Sequence, residues 1–263
     1  MRFGYCLDLS HILRGDEIFQ AVRAAGYDYI ETQLTKLLAL SPAEYGGVKR
    51  RLAGAGLPCS AAMMIFPYDM PLVSEDRDLG ALEEHAKRTL DVAADLGCET
   101  VVFGHGGTRR VPAGMDYETT HARLIDVLRM LDGMAAGLGL KIAVEPLCDT
   151  DMIVSYPEAA ALARDCGPSV GALFDLYHGA ALGQSPMDIT LAPERLFHLH
   201  IACPGSRHLP AETGDGALYG AFAATARQCG YDGKLSVEAG VPEGADVFAA
   251  VAGALGVVRG QFT

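Results

Sequence analysis

Short apolar runs alternate with longer amphipathic stretches along the chain. The short runs fall at Arg2–Leu7, Tyr27–Thr32, Pro58–Ile65, Glu99–Gly104, Lys141–Glu145, Val170–Asp175, Leu196–Ile201 and Lys234–Glu238, and their length and aliphatic content predict strands. Between them, helical patterns run near 15–25, 42–55, 78–97, 116–138, 157–165, 187–194, 215–229 and 244–258. Ser41-Pro42 with Glu44, and Tyr156-Pro157-Glu158, put proline in a first helical turn, where its missing N–H costs nothing. Glycines 26, 97, 167 and 230 mark helix ends. Eight strands alternating with eight helices in 263 residues imply parallel βα units. Their simplest closed arrangement is a single-domain (β/α)8 TIM barrel over residues 1–263. An open doubly wound sheet is the rival, but no GxGxxG follows the first strand. No linker, low-complexity tract or internal repeat divides the chain.

Composition narrows the function. Half the residues are apolar, enough for one sizeable core, and 33 acidic against 21 basic side chains give a formal charge of -12. That charge repels a phosphate backbone or an anionic membrane, so no nucleic acid and no membrane is expected as a partner. The seven cysteines are scattered and form no CxxC pair, which suits a reducing cytoplasm. The N-terminus lacks a signal-peptide profile, and no apolar run approaches the roughly 18 residues of a membrane span. A soluble cytoplasmic protein is expected.

Side chains on a strand alternate between faces, so parity separates barrel-interior from helix-facing positions. In KIAVE, Ile142 and Val144 face the helices and Glu145 shares the other face with Ala143. In VGALFD, Leu173 and Asp175 oppose Val170, Ala172 and Phe174. In LFHLHI, His198 and His200 point inward while Phe197, Leu199 and Ile201 point outward. In KLSVE, Ser236 and Glu238 point inward. Four consecutive strands therefore end in an inward polar residue at the carboxyl end of the barrel, where TIM-barrel active sites are built: Glu145, Asp175, His200 and Glu238. Singly, each would read as a rim salt bridge or a core histidine. Together, three carboxylates at one mouth need either raised pKa values or a divalent cation. Three carboxylates and an imidazole suit Mn²⁺, Mg²⁺ or Co²⁺, with Zn²⁺ possible. Tyr5 and Glu31, ending the first two strands, are lesser pocket candidates, and His198 lies one step deeper.

The runs VEPL (144–147), FDLYH (174–178), HLHIACPGSRHLP (198–210) and SVEAG (236–240) resemble the sugar isomerase and epimerase superfamily of xylose isomerase-like TIM barrels. Within it, the chain is most similar to ketose 3-epimerases and hydroxypyruvate isomerases. The resemblance implies metal ligands at Glu145, Asp175, His200 and Glu238, with Mn²⁺ the expected ion. It also implies substrate contacts at His178, three residues after Asp175, and at Arg207 in the loop after the seventh strand. An acidic contact six residues past the first Glu falls on Asp151, although Cys148, Asp149 and Thr150 depart from the epimerase pattern. Cys203 and Ala211 depart from it too. His105, ending the fourth strand, could reach substrate, bind a second metal or cap the strand. Arg109 and Arg110 could hold an anionic group, at least one of them being simply solvated.

The implied chemistry is removal of a proton beside a carbonyl, with the enediolate stabilised by a divalent ion. Glu145 and Glu238 would act as acid/base partners and metal ligands, and a small sugar or hydroxy-carbonyl compound would be the substrate. Isomerisation and epimerisation both remain open. So do a polyol (inosose-type) dehydratase on the same metal site and a non-catalytic sugar-binding barrel. Relatives of this kind commonly form dimers or tetramers, so a homodimer or homotetramer is expected.

Overall fold

Eight parallel strands close in sequence order in the computed structural model, which describes residues 1–104, 106–211 and 215–262. The strands are β1 (Arg2–Cys6), β2 (Tyr29–Gln33), β3 (Cys59–Met63), β4 (Thr100–Phe103), β5 (Lys141–Val144), β6 (Val170–Asp175), β7 (Leu196–Ile201) and β8 (Lys234–Val237). Strand β8 pairs back onto β1 from Arg2↔Lys234 to Tyr5↔Val237. The helices among the described residues are α1 (Leu9–Arg14), α2 (Glu17–Ala25), α3 (Leu34–Leu38), α4 (Pro42–Ala55) and α5 (Leu79–Asp95). They continue as α6 (Tyr117–Leu138), α7 (Tyr156–Cys166), α8 (Leu176–Ala181), α9 (Gly216–Gln228) and α10 (Val247–Phe262). The expected TIM barrel is therefore present, and no described helix is long and apolar enough to cross a membrane.

Local sequence fixes many boundaries. Ser41 Oγ accepts from the Glu44 N–H (3.3 Å) while the Glu44 carboxylate accepts from the Ser41 N–H (2.9 Å). This reciprocal cap starts α4, with Pro42 in its first turn, and Gly56 ends it at φ 64°. Three short helices, α1, α3 and α8, escape the sequence pattern because five or six residues cannot display a helical period. The helix expected over 187–194 is instead two 3₁₀ turns, Pro186–Leu191 and Pro193–Arg195. Pro193 cannot donate a helical hydrogen bond, and Ala192 breaks the run at φ -155°, ψ 59°.

The main core lies between the outer face of the barrel and the helices, with Phe19, Leu90, Leu128, Leu162 and Phe222 from five helices buried in it. A smaller cluster of Val102, Ala143 and Leu173 fills the barrel interior. Phe197 packs on that inner cluster, contrary to the outward position parity gives it. The β6–β7 register shifts between Ala172 and Leu173, so Leu196 pairs with Ala172 but His198 with Leu173. That bulge turns the Phe197 ring over Gly171, where a Cβ would lie 2.4 Å from it. Beyond the bulge the alternation resumes, and His198 and His200 keep their expected inward direction.

Candidate active site

The barrel's own hydrogen bonds hold the four inward residues at its carboxyl mouth. Glu145 follows β5 directly, and its N–H donates to the Phe103 carbonyl (3.1 Å). Glu238 follows β8, and its N–H donates to the Ile201 carbonyl (3.0 Å). Asp175 ends β6 and caps α8, its carboxylate accepting from the Tyr177 N–H at 2.7 Å. His200 stands in register between Asp175 on β6 and Ser236 on β8. Gly104 leaves room for this arrangement, because a Cβ there would lie 2.2 Å from Glu145 Oε2.

Glu145, Asp175, His200 and Glu238 offer donor atoms that all lie within 4.8 Å of one another. His200 Nδ1 is 3.3 Å from Glu145 Oε1 and 3.2 Å from Glu238 Oε2. Burial, reinforced by the charges of Glu145 and Glu238, lifts Asp175 to about 6. Burial alone would lift Glu238 as well, but the hydrogen bond and charge of His200, with Arg207, hold it below the ordinary glutamate range. Burial likewise opposes a charge on His200. The surrounding acids, Glu31 foremost, outweigh it and hold its pKa well above the usual imidazole value. An imidazolium thus does part of the neutralising here. Three carboxylates and one nitrogen at this spacing form a hard donor set that fits a single divalent cation, in the class of Mn²⁺, Mg²⁺ or Co²⁺.

Arg207 and His178, two of the positions expected to meet substrate, lie at the rim of the cluster. The Arg207 guanidinium forms an ion pair with Glu238 Oε2 (2.7 Å) and stacks 5.0 Å from the Tyr177 ring centre. It sits at φ 54°, a backbone region few non-glycine residues enter. His178 Nδ1 accepts from the Cys148 N–H (3.2 Å), which leaves Nε2 to carry a proton, 3.8 Å from Asp175 Oδ2. Both side chains line a cavity of about 160 Å³ that also touches Glu145, His200 and Glu238. Asp151 is not brought to this cavity; its carboxylate accepts from the Val111 N–H at 3.2 Å. Asp149 lines it instead, with Met63, Met64, Tyr68 and Leu147. Nothing in the sequence pattern marked these residues, since most come from loops whose path only the fold fixes. His105 lies outside the described residues.

Arg109 is not at the surface. It is fully buried and donates to the Glu145 carbonyl (2.7 Å), and burial pulls its pKa down to about 10. Arg110 is exposed and donates to the Asp149 carbonyl. Both arginines therefore brace the loop after β5. Tyr5 donates to the Ala239 carbonyl (3.2 Å) and so supports the segment after Glu238.

Beneath the cluster lies a buried polar layer. Glu31 Oε2 accepts from His198 Nε2 (2.9 Å) and Ser236 Oγ (2.7 Å), and Glu31 Oε1 lies 3.2 Å from His200 Nε2. Tyr29 reaches Ser236 Oγ at 2.9 Å, its ring filling the space that Gly4 leaves by having no side chain. Burial by itself would raise Glu31, yet the two histidines outweigh it and keep the group ionised, well below its usual range.

The chain belongs to the xylose isomerase-like TIM barrel family, whose family model matches residues 19–254. No curated protein matches it at a significant level. Among solved structures it is similar to 3-keto-D-glucoside 4-epimerase from E. coli (23% identity, TM-score 0.81, covering 99% of each chain). It is also similar to D-psicose 3-epimerase from Clostridium cellulolyticum H10 (17% identity, TM-score 0.81, 100% of this chain and 99% of that one). An L-ribulose 3-epimerase aligns at 19% identity and TM-score 0.80, over 99% of this chain and 94% of that one. These likenesses establish the shared fold.

Proposed function

We propose that this protein is a divalent-metal-dependent isomerase or epimerase of a small sugar or hydroxy-carbonyl compound, working by proton transfer at a carbon beside a carbonyl. The observation that carries the reading is the convergence of Glu145, Asp175, His200 and Glu238 within 4.8 Å at the barrel mouth. The epimerases of the same fold that act on a 3-keto-D-glucoside, D-psicose and L-ribulose support it.

Glu145, Asp175, His200 and Glu238 would hold the ion, for which Mn²⁺ is our choice. When bound, it supplies Lewis acidity to the substrate's oxygens and charge compensation to the carboxylates. Glu145 and Glu238 come from strands three positions apart around the barrel and reach the cavity from different sides of the ring. One takes the proton from carbon and the other, or the same one, returns it. Glu238 is ready as a base at neutral pH because His200 and Arg207 keep it ionised. Return to the opposite face of the same carbon gives the epimer, and return to the neighbouring carbon gives the isomer. Arg207 and the Nε2–H of His178 donate to substrate oxygens and stabilise the negative charge that develops on them. The cavity, about 160 Å³ and lined by both charged and apolar side chains, suits a short polyhydroxy carbonyl compound.

Deuterium exchange tests the proposal. Metal-stripped protein restored with Mn²⁺ is incubated in deuterated water with ketoses, their phosphates and hydroxypyruvate, and substrate C–H loss is followed by NMR. We expect exchange into at least one compound, falling by about 10²–10⁴ in Glu145→Gln and Glu238→Gln. Tight Mn²⁺ binding with no exchange across the panel would overturn the isomerase reading in favour of dehydration or binding alone.

A further inference from the structure

We infer that Glu31, which lies under the metal cluster and cannot reach the cavity, is the residue that sets which nitrogen of His200 faces the metal. The inference rests on the metal reading above, but the geometry that carries it belongs to Glu31 itself. Glu31 and His198 are fully inaccessible and His200 is 1% exposed, so their hydrogen bonds are closed to water. His200 Nε2 lies 3.2 Å from both oxygens of Glu31, while Nδ1 faces Glu145 and Glu238 at 3.3 and 3.2 Å. A carboxylate only accepts, so Nε2 must carry a proton and Nδ1 is the nitrogen free to lose one.

The remaining bonds of Glu31 allow one consistent assignment of protons. Ser236 Oγ must donate to Glu31 Oε2, which makes Tyr29 the donor to Ser236. His198 Nε2 must also donate to Glu31. Its Nδ1 is buried with no hydrogen-bond partner, as expected of an unprotonated nitrogen. Glu31 thus receives a donor from β7 twice and from β8 once, and cannot rotate without leaving a buried donor unmet. The same saturation argues against the other arrangement these atoms suggest, an ion held by Cys6, Glu31 and His200. Such an ion would have to displace the His200 Nε2 proton that donates to Glu31, breaking the contact that seats the ring. Support of a metal-binding histidine by a buried carboxylate is a physically general device, and disturbing it weakens metal affinity by about 10–100-fold.

The experiment uses ¹⁵N-histidine-labelled full-length protein. Long-range ¹H–¹⁵N spectra of the Mg²⁺- or Zn²⁺-loaded wild type are expected to show His200 protonated at Nε2 and bare at Nδ1. The opposite tautomer would overturn the inference whether or not any variant folds. Glu31→Gln is expected to give a mixed His200 tautomer in the metal-free protein, read at a pH high enough to neutralise the ring, and an Mn²⁺ affinity about 10–100-fold lower by calorimetry, with Glu31→Asp recovering part of both. Wild-type tautomer and affinity in Glu31→Gln would also overturn it. If the wild type binds no metal, the functional reading fails, yet the metal-free spectra of wild type and variant still decide what Glu31 does. Two ions per chain, one of them lost with Cys6→Ala, would replace the inference by the Cys6 site.

Discussion

Removing one charge from the carboxylate cluster should strengthen the metal-free protein and weaken the metal-bound one. Asp175 is the informative position, because an Asn there keeps the oxygen that accepts from the Tyr177 N–H and so keeps the α8 cap. Burial and the charges of Glu145 and Glu238 carry its pKa from 3.8 to about 6 in the folded protein. A raised carboxyl pKa means the folded state holds a proton that the unfolded state has already released. Stability from this group is therefore greatest below about pH 4 and falls as pH rises to about 6. At about 1.4 kcal/mol per pH unit over that window, the penalty at pH 7 to 8 is about 3 kcal/mol. For a domain of this size that corresponds to a midpoint shift on the order of 6–12 °C. The assay is thermal unfolding of chelator-treated wild type and Asp175→Asn from pH 4.5 to 8. The variant should melt higher at pH 8, by a margin that shrinks toward pH 4.5, and it should lose most of the stabilisation that added Mn²⁺ gives the wild type. A variant that melts lower at every pH would refute the claim that the cluster is under electrostatic strain. A difference that ignores pH would refute Asp175 as its seat.

Three other perturbations address the surrounding geometry. Gly104→Ala puts a Cβ 2.2 Å from Glu145 Oε2, so Mn²⁺ affinity should drop by about 10–100-fold while the unfolding midpoint hardly moves; calorimetry giving wild-type affinity would mean Glu145 is free to step aside. Gly171→Ala meets the Phe197 ring at 2.4 Å and the Arg195 carbonyl at 2.7 Å, and should cost about 1–3 kcal/mol in chemical unfolding. Unchanged stability there would place Phe197 outside the barrel. Arg207→Lys loses the flat guanidinium stacked on Tyr177, and should raise KM about tenfold with a smaller change in kcat, whereas equal KM would remove Arg207 from substrate binding.

The strand and helix alternation was legible because each strand is short, apolar and bounded by turn residues, and the cap at Ser41 and the stop at Gly56 are local chemistry. Three of the four cluster residues were reachable by counting alternate positions back along an undisturbed strand, and His200 because the alternation resumes past the bulge. The same counting failed for Phe197, one residue into that bulge, since a register shift is decided by the neighbouring strand. Asp151 lies off the cavity for a related reason: seven residues past the end of β5 the chain has left the ladder, and its carboxylate turns to Val111.

The sequence by itself determined the barrel, the inward polar residues at the ends of its last four strands, and the acidic donor set they form. Only the tertiary structure decided that Arg109 is a buried brace, that Asp149 and Tyr68 share the cavity, and that Glu31 seats His200 from below. Periodicity is a property of one strand at a time. The distance between Glu31 on β2 and His200 on β7 depends on closing the barrel around them, which no local pattern encodes.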